Sequence, residues 1–170
     1  MRISVQLEAA TQAPSDVRYL WNSRSDVLSA QVAPDALGEL TIASCGSVGL
    51  QGRDGSWLML ELVAGQIAGV EVAAWPKIQH LADVAVPANV GDVRALVPKL
   101  CPEAGANSLA MGTRVLAEAD PSERNFHFML GRRPTKRTVR IARDLLLDVD
   151  ERSHITGLWL LNVPPCHVES

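Results

Sequence analysis

The residues best suited to chemistry in this chain are cationic. Arg132, Arg133, Lys136, Arg137, Arg140 and Arg143 fall within twelve consecutive positions of a chain whose net charge is −3. Arginine presents a planar fork of donors that pairs bidentately with carboxylate or phosphate. The run is therefore read as a site for an anionic ligand or an acidic partner surface, carried by Arg132, Arg133, Lys136, Arg137 and Arg140. The same charges would also protect an edge strand from pairing with another chain. Val139 and Ile141 alternate with Thr138, Arg140 and Ala142. That period of two puts the end of the run on a strand with Arg140 outward.

Acid and base groups are sparser. Asp148 and Asp150 are two apart, so on a strand they share a face. Asp-x-Asp at a strand end is also ordinary turn chemistry. Glu61 lies on a similar apolar strand, and two carboxyls brought together would push one pKa up and form an acid/base pair. His127 stands between Phe126 and Phe128 and faces away from both, while His154 falls in a turn. Either imidazole is a general-base candidate because it titrates near neutral pH. Glu61, Asp148, His127 and His154 are thus the catalytic candidates.

Other chemistries find no support. The histidines His80, His127, His154 and His167 show no metal-ligand spacing, and Cys45, Cys101 and Cys166 are scattered, so no metal site is expected. Cys45 beside Gly46 would be reactive only with a basic neighbour. No phosphate-binding loop, dinucleotide fingerprint or nucleophile elbow is present, and no cofactor is expected. Trp159 faces away from Leu158 and Leu160. If exposed, it would be a binding anchor beside the arginines.

The elements that must position these groups repeat. Residues 58–76 and 145–164 each read as strand, polar turn and strand ending at a proline. With one extra residue in the second turn, Leu58, Leu60, Ile67, Gly69 and Pro76 fall on Leu145, Leu147, Ile155, Gly157 and Pro164, and Glu61 falls on Asp148. Upstream, 19–32 and 115–130 are further hairpins, turned at Asn22 and Asp120. The expected organisation is a first β-rich unit over 1–76, a linker over 77–113 and a second unit over 114–170. The expected fold is mostly antiparallel β, a sandwich or barrel of two pseudo-two-fold-related hairpin units burying their apolar faces against each other. Within the linker a helix over 90–97 and a strand pair, 82–86 with 93–97, both fit. The strand pair is preferred.

The segment Trp21-Asn22-Ser23-Arg24-Ser25-Asp26-Val27-Leu28 and the hairpin Asp148-Val149-Asp150 to Ile155-Thr156-Gly157 together resemble a small bacterial β-rich domain family of unknown function. The resemblance implies a tandem of two such domains over roughly 110 residues. Arg124 and Val63 depart from its pattern. It implies no activity, but some members look like partners of small toxin-like proteins.

Composition bounds the rest. The chain has 170 residues, 47% hydrophobic and 21% charged, enough to bury a core without disulfides. An acidic balance argues against general nucleic-acid binding. No apolar run is long enough for a membrane span, and the odd cysteine count suits a reducing compartment, so a cytoplasmic protein is expected. Two function classes stay open. One is a non-catalytic binding or accessory protein, immunity-like or antitoxin-like, whose partner is a protein, a second copy of the chain, or a small anionic or hydrophobic ligand. The other is a small cofactor-free isomerase, cyclase or lyase acting on a hydrophobic metabolite between the repeats.

Overall fold

The computed structural model describes residues 3–33, 45–98 and 111–166. Cys101 and His167 lie outside them. All regular secondary structure among the described residues is strand. In chain order the strands are β1 (Gln6–Ala9), β2 (Val17–Asn22), β3 (Val27–Val32), β4 (Cys45–Gly52), β5 (Trp57–Val63), β6 (Gln66–Ala74), β7 (Ile78–His80), β8 (Gly91–Leu96), β9 (Met111–Thr113), β10 (Val115–Ala119), β11 (Phe126–Leu130), β12 (Arg137–Ala142), β13 (Leu145–Val149) and β14 (Ile155–Leu160). Alternation of period two marks several of them: β3 and β5 put every second residue fully inside, whereas β13 and β14 are buried on both faces. The turns follow local chemistry. Ala64 and Gly65, both at positive φ, close β5 onto β6 as a two-residue turn.

The fold is mostly antiparallel β, with two groups of five strands in the same internal order. The first runs β2-β3-β6-β5-β4, the second β10-β11-β14-β13-β12. Three short strands from 77–113 add parallel pairs at the margins: β7 on β10, β8 on β12 and β9 on β4. Of the expected strand pair, 93–96 is strand within β8, and 82–86 is not. That segment instead crosses the second sheet, with Val84 buried against Leu146 and Trp159. The alternative helix over 90–97 does not form.

The two groups are tied by an exchange of strands. Residues ahead of the first group pair with the last hairpin of the second: Val5 N donates to Ser153 O and Ile155 N to Ile3 O, both at 2.9 Å. Residues ahead of the second group pair with the corresponding hairpin of the first. There Val97 N donates to Gly65 O at 2.8 Å, and Leu96 lies opposite Gln66. β1 and β8 also pair with each other, antiparallel, with Gln6 opposite Leu96. Val5 and Val97, the residues flanking that pair, are both buried in the core.

This exchange holds two apolar faces together over one core. Leu58, Leu60, Val70 and Val72 share a buried cluster with Phe126, Phe128, Leu147 and Leu158. Trp75 rests on Phe126 and Phe128, with ring centroids 5.2 and 6.0 Å away, and stacks on Trp21. Polar tips close the open side. The Tyr19 hydroxyl donates to Leu161 O at 2.7 Å, and Trp21 Nε1 donates to Pro164 O at 2.8 Å. Burial and the neighbouring Asp144 charge push the Tyr19 phenol up, so it remains a donor.

Two strand glycines make room for carboxylates. A Cβ at Gly157 would lie 2.7 Å from an Asp148 oxygen and 2.9 Å from Phe128 O. One at Gly69 would lie 2.8 Å from Ala30 O and 2.9 Å from a Glu61 oxygen. Overpacking of this kind costs about 1–3 kcal/mol. Gly157→Ala is therefore expected to lower the unfolding free energy by that margin, read as a fall in urea midpoint. Gly46→Ala, whose Cβ would meet nothing within 4 Å, should be near neutral. Equal midpoints for the two variants would contradict this packing.

Candidate functional site: an arginine-lined groove

Three turns and Ile3 converge on one groove of about 700 Å³. The β4–β5 turn supplies Arg53 and Asp54. It is fixed by Gly52 N donating to Ser56 O at 2.8 Å and by Ser56 donating to the Asp54 carboxylate from both its backbone N and its hydroxyl. The Ser56 hydroxyl bond, with the backbone bond, holds the Asp54 carboxyl below the usual range. The β11–β12 connection supplies Arg132 and Arg133. Gly131, at φ +77°, donates its N–H to Arg114 O at 2.7 Å, which sets this turn beside the start of β10. The β13–β14 turn supplies Asp150 and His154. Ile3, Leu50, Val115, Leu130 and Ile155, all buried, line the floor.

Four guanidiniums thus meet two carboxylates. Arg133 pairs with Asp150 at 3.2 Å. Arg53, Arg114 and Arg132 are exposed and form no ion pair among the described residues. Asp150 is the structural acid of the groove. Its oxygens accept the backbone N–H groups of Arg152 and His154, the Arg133 guanidinium and a bond from the His154 ring. Burial pushes its carboxyl up, but those bonds outweigh burial and hold it well below the ordinary carboxylate range. A second groove of about 360 Å³ adjoins the first, shares Arg133 and Asp150 with it, and adds Lys136, Glu151 and Arg152.

No protein-family model and no curated protein matches this chain. The resemblance to the small bacterial domain rests on its motifs alone.

The other residues singled out by sequence lie elsewhere. Arg137 is exposed and lines neither groove. Arg140 sits across the sheet, paired with Asp92 at 3.3 Å, and its Nε is buried without a partner. Trp159 is not an exposed anchor. It is 5% exposed, because Val84, Leu81 and Val90 pack over the outer face of β14. There it stacks on His127 at 3.8 Å and donates Nε1 to Asp148 at 3.1 Å. His127 Nε2 lies 2.8 Å from the same Asp148 oxygen, and Thr138 donates to the other. His127 and Asp148 therefore do meet, in a packed layer that lines neither groove. Asp148 and Asp150 do not share a site, because the register shifts between Asp148 and Val149 and Asp150 enters the hairpin turn. Glu61 has Glu71 as its charged neighbour in the first sheet. Burial, then the Glu71 charge, pushes its carboxyl up.

Sequence reading found Arg132, Arg133 and His154 but missed Arg53 and Arg114. The available signal was the Arg-Asp turn at 53–54 and the charge directly ahead of β10, and neither joins the basic run until the chain folds.

Two outcomes follow from these networks. Because the folded Asp150 carboxyl titrates below the unfolded one, its stabilisation is full above about pH 4–5 and is lost as pH falls. Wild type should therefore exceed Asp150→Asn in urea midpoint at pH 7, with the gap narrowing toward pH 3. A gap that is constant with pH would contradict the assignment. His127→Ala removes one partner of a buried carboxylate, and its expected cost is about 1–3 kcal/mol, with anion binding in the groove unchanged.

Proposed function

We propose that this chain is a non-catalytic binding protein, an accessory or immunity-like partner, that recognises an anionic group in the arginine-lined groove. The observation that carries the reading is the convergence around a single hollow of Arg53 from the β4–β5 turn, Arg114 from just ahead of β10, and Arg132 and Arg133 from the β11–β12 connection. Guanidinium groups held by turns lose little freedom when they pair with carboxylate or phosphate.

The corresponding turn of the second group supports this. The β12–β13 turn carries Arg143 and Asp144, as the β4–β5 turn carries Arg53 and Asp54. Asp16, directly ahead of β2, pairs with Arg143 at 3.0 Å. Arg114 stands directly ahead of β10, so the groove keeps its positive charge where the β12–β13 turn is neutralised. The enzyme reading would rely on Glu61, Asp148, His127 or His154. Glu61, Asp148 and His127 line neither groove, and His154, which lines the larger one, has its ring bonded to the Asp150 carboxylate, an arrangement that favours the binding reading.

The two halves are proposed to descend from one duplicated unit, a reading supported by their shared strand order and exchanged leading strands. No helix among the described residues is long and apolar enough to cross a membrane. With Cys166 a free thiol, a bacterial cytoplasmic setting is the proposed location.

Calorimetric titration with citrate and with pyrophosphate at low ionic strength tests the groove. Wild type should bind, and Arg53→Glu or Arg114→Glu should each weaken binding about tenfold or more. Binding should also fall with added salt. Arg137→Glu should leave it unchanged. Equal losses from all three variants would show only diffuse charge attraction.

A further inference from the structure

The two grooves share lining residues, and that adjacency bears on the class of ligand. Arg133 and Asp150 belong to both. Arg133 is held by its pair with Asp150, so it forms a fixed step between the hollows. On one side stand Arg53, Arg114 and Arg132 over an apolar floor. On the other stand Lys136 and Arg152, both exposed, with Pro134 and Thr135 between them.

We infer that the occupant is an extended acidic segment of a partner polypeptide, with apolar side chains among its carboxylates, lying across both grooves. This rests on the anion-site reading and goes further by naming the ligand. Three observations select it. First, the floor of the larger groove is built from Ile3, Leu50, Val115, Leu130 and Ile155, which offers burial to a Leu-like side chain and nothing to a polyphosphate. Second, no Phe, Tyr or Trp lines either groove, so neither has the stacking platform that single-stranded nucleic acid uses. Third, Asp54, Asp150 and Glu151 are interspersed with the cations. Spaced carboxylates can alternate with them, whereas a densely charged phosphate chain would meet like charge at each.

The probe is a fluorescein-labelled peptide of four Glu-Glu-Leu repeats, which extends to about 40 Å at most. Competing probes are four Glu-Glu-Gly repeats, an oligothymidylate of the same length and inorganic tripolyphosphate. Fluorescence anisotropy should show the Leu-containing peptide binding about tenfold or more tightly than each of the others. The double variant Lys136→Glu/Arg152→Glu should weaken it about tenfold and leave citrate binding at the wild-type value. Arg53→Glu should weaken both. These side chains are exposed, and unchanged urea midpoints would show that the variants fold. If the double variant binds the peptide like wild type while Arg53→Glu weakens it, the extended-segment inference fails and the single anion groove stands. If neither variant weakens the peptide and Arg53→Glu spares citrate, both readings fall. Tighter binding of oligothymidylate or tripolyphosphate would overturn the polypeptide assignment.

Discussion

The structure depends on a set of backbone hydrogen bonds in which each half of the chain completes the other. Residues 3–5 pair with the last hairpin of the second half, and Val97 pairs with the matching hairpin of the first. β1 and β8 then pair with each other where they cross. Strand edges left open in water are hazardous and contribute little stability. Crossing the leading strands covers such edges and fixes the angle at which the two apolar faces meet. The shared cluster from Leu58 to Phe128 and Leu158 is a consequence. So is the groove, whose floor contains Ile3 and Ile155, the two residues joined by one of the exchanged bonds.

The halves use the same frame differently. In the second sheet, Asp148 lies over Gly157 and is satisfied by His127, Thr138 and Trp159. A buried carboxylate without such partners would cost several kcal/mol, and the strap carrying Val84 makes that burial complete. In the first sheet, Glu61 lies over Gly69 beside Glu71 and stays half-buried. The contrast recurs in the turns. Asp16 neutralises Arg143 at the β12–β13 turn, and Arg114 adds to Arg53 at the β4–β5 turn.

Much of this architecture was legible in sequence because its signals are local. Alternation identified most of the longer strands, and Asn22 and Asp120 bond backbone N–H groups of their own turns, as turn residues do. Asp150 performs the turn role that Asp-x-Asp suggests, whereas Asp148 does not. Several failures are non-local. The period-two pattern put Trp159 on the outer face correctly but could not show that 81–90 folds over it. The parallel margins formed by β7, β8 and β9 join residues far apart in the chain with no pattern of their own. The basic run was visible as a run, yet only part of it reaches the groove. Arg137 and Arg140 diverge along β12, and Arg53 and Arg114 arrive from elsewhere.

A folded frame has thus gathered arginines that the linear sequence scatters, and the claim that they form a built anion site can be mapped residue by residue. The most direct measurement is an amide chemical-shift titration of the intact protein with pyrophosphate. Shifts concentrated at 53–54, 112–116, 131–133 and 150–156 are the expected result. Shifts spread over the exposed cations, or centred on Arg137 and Arg140, would contradict a built site.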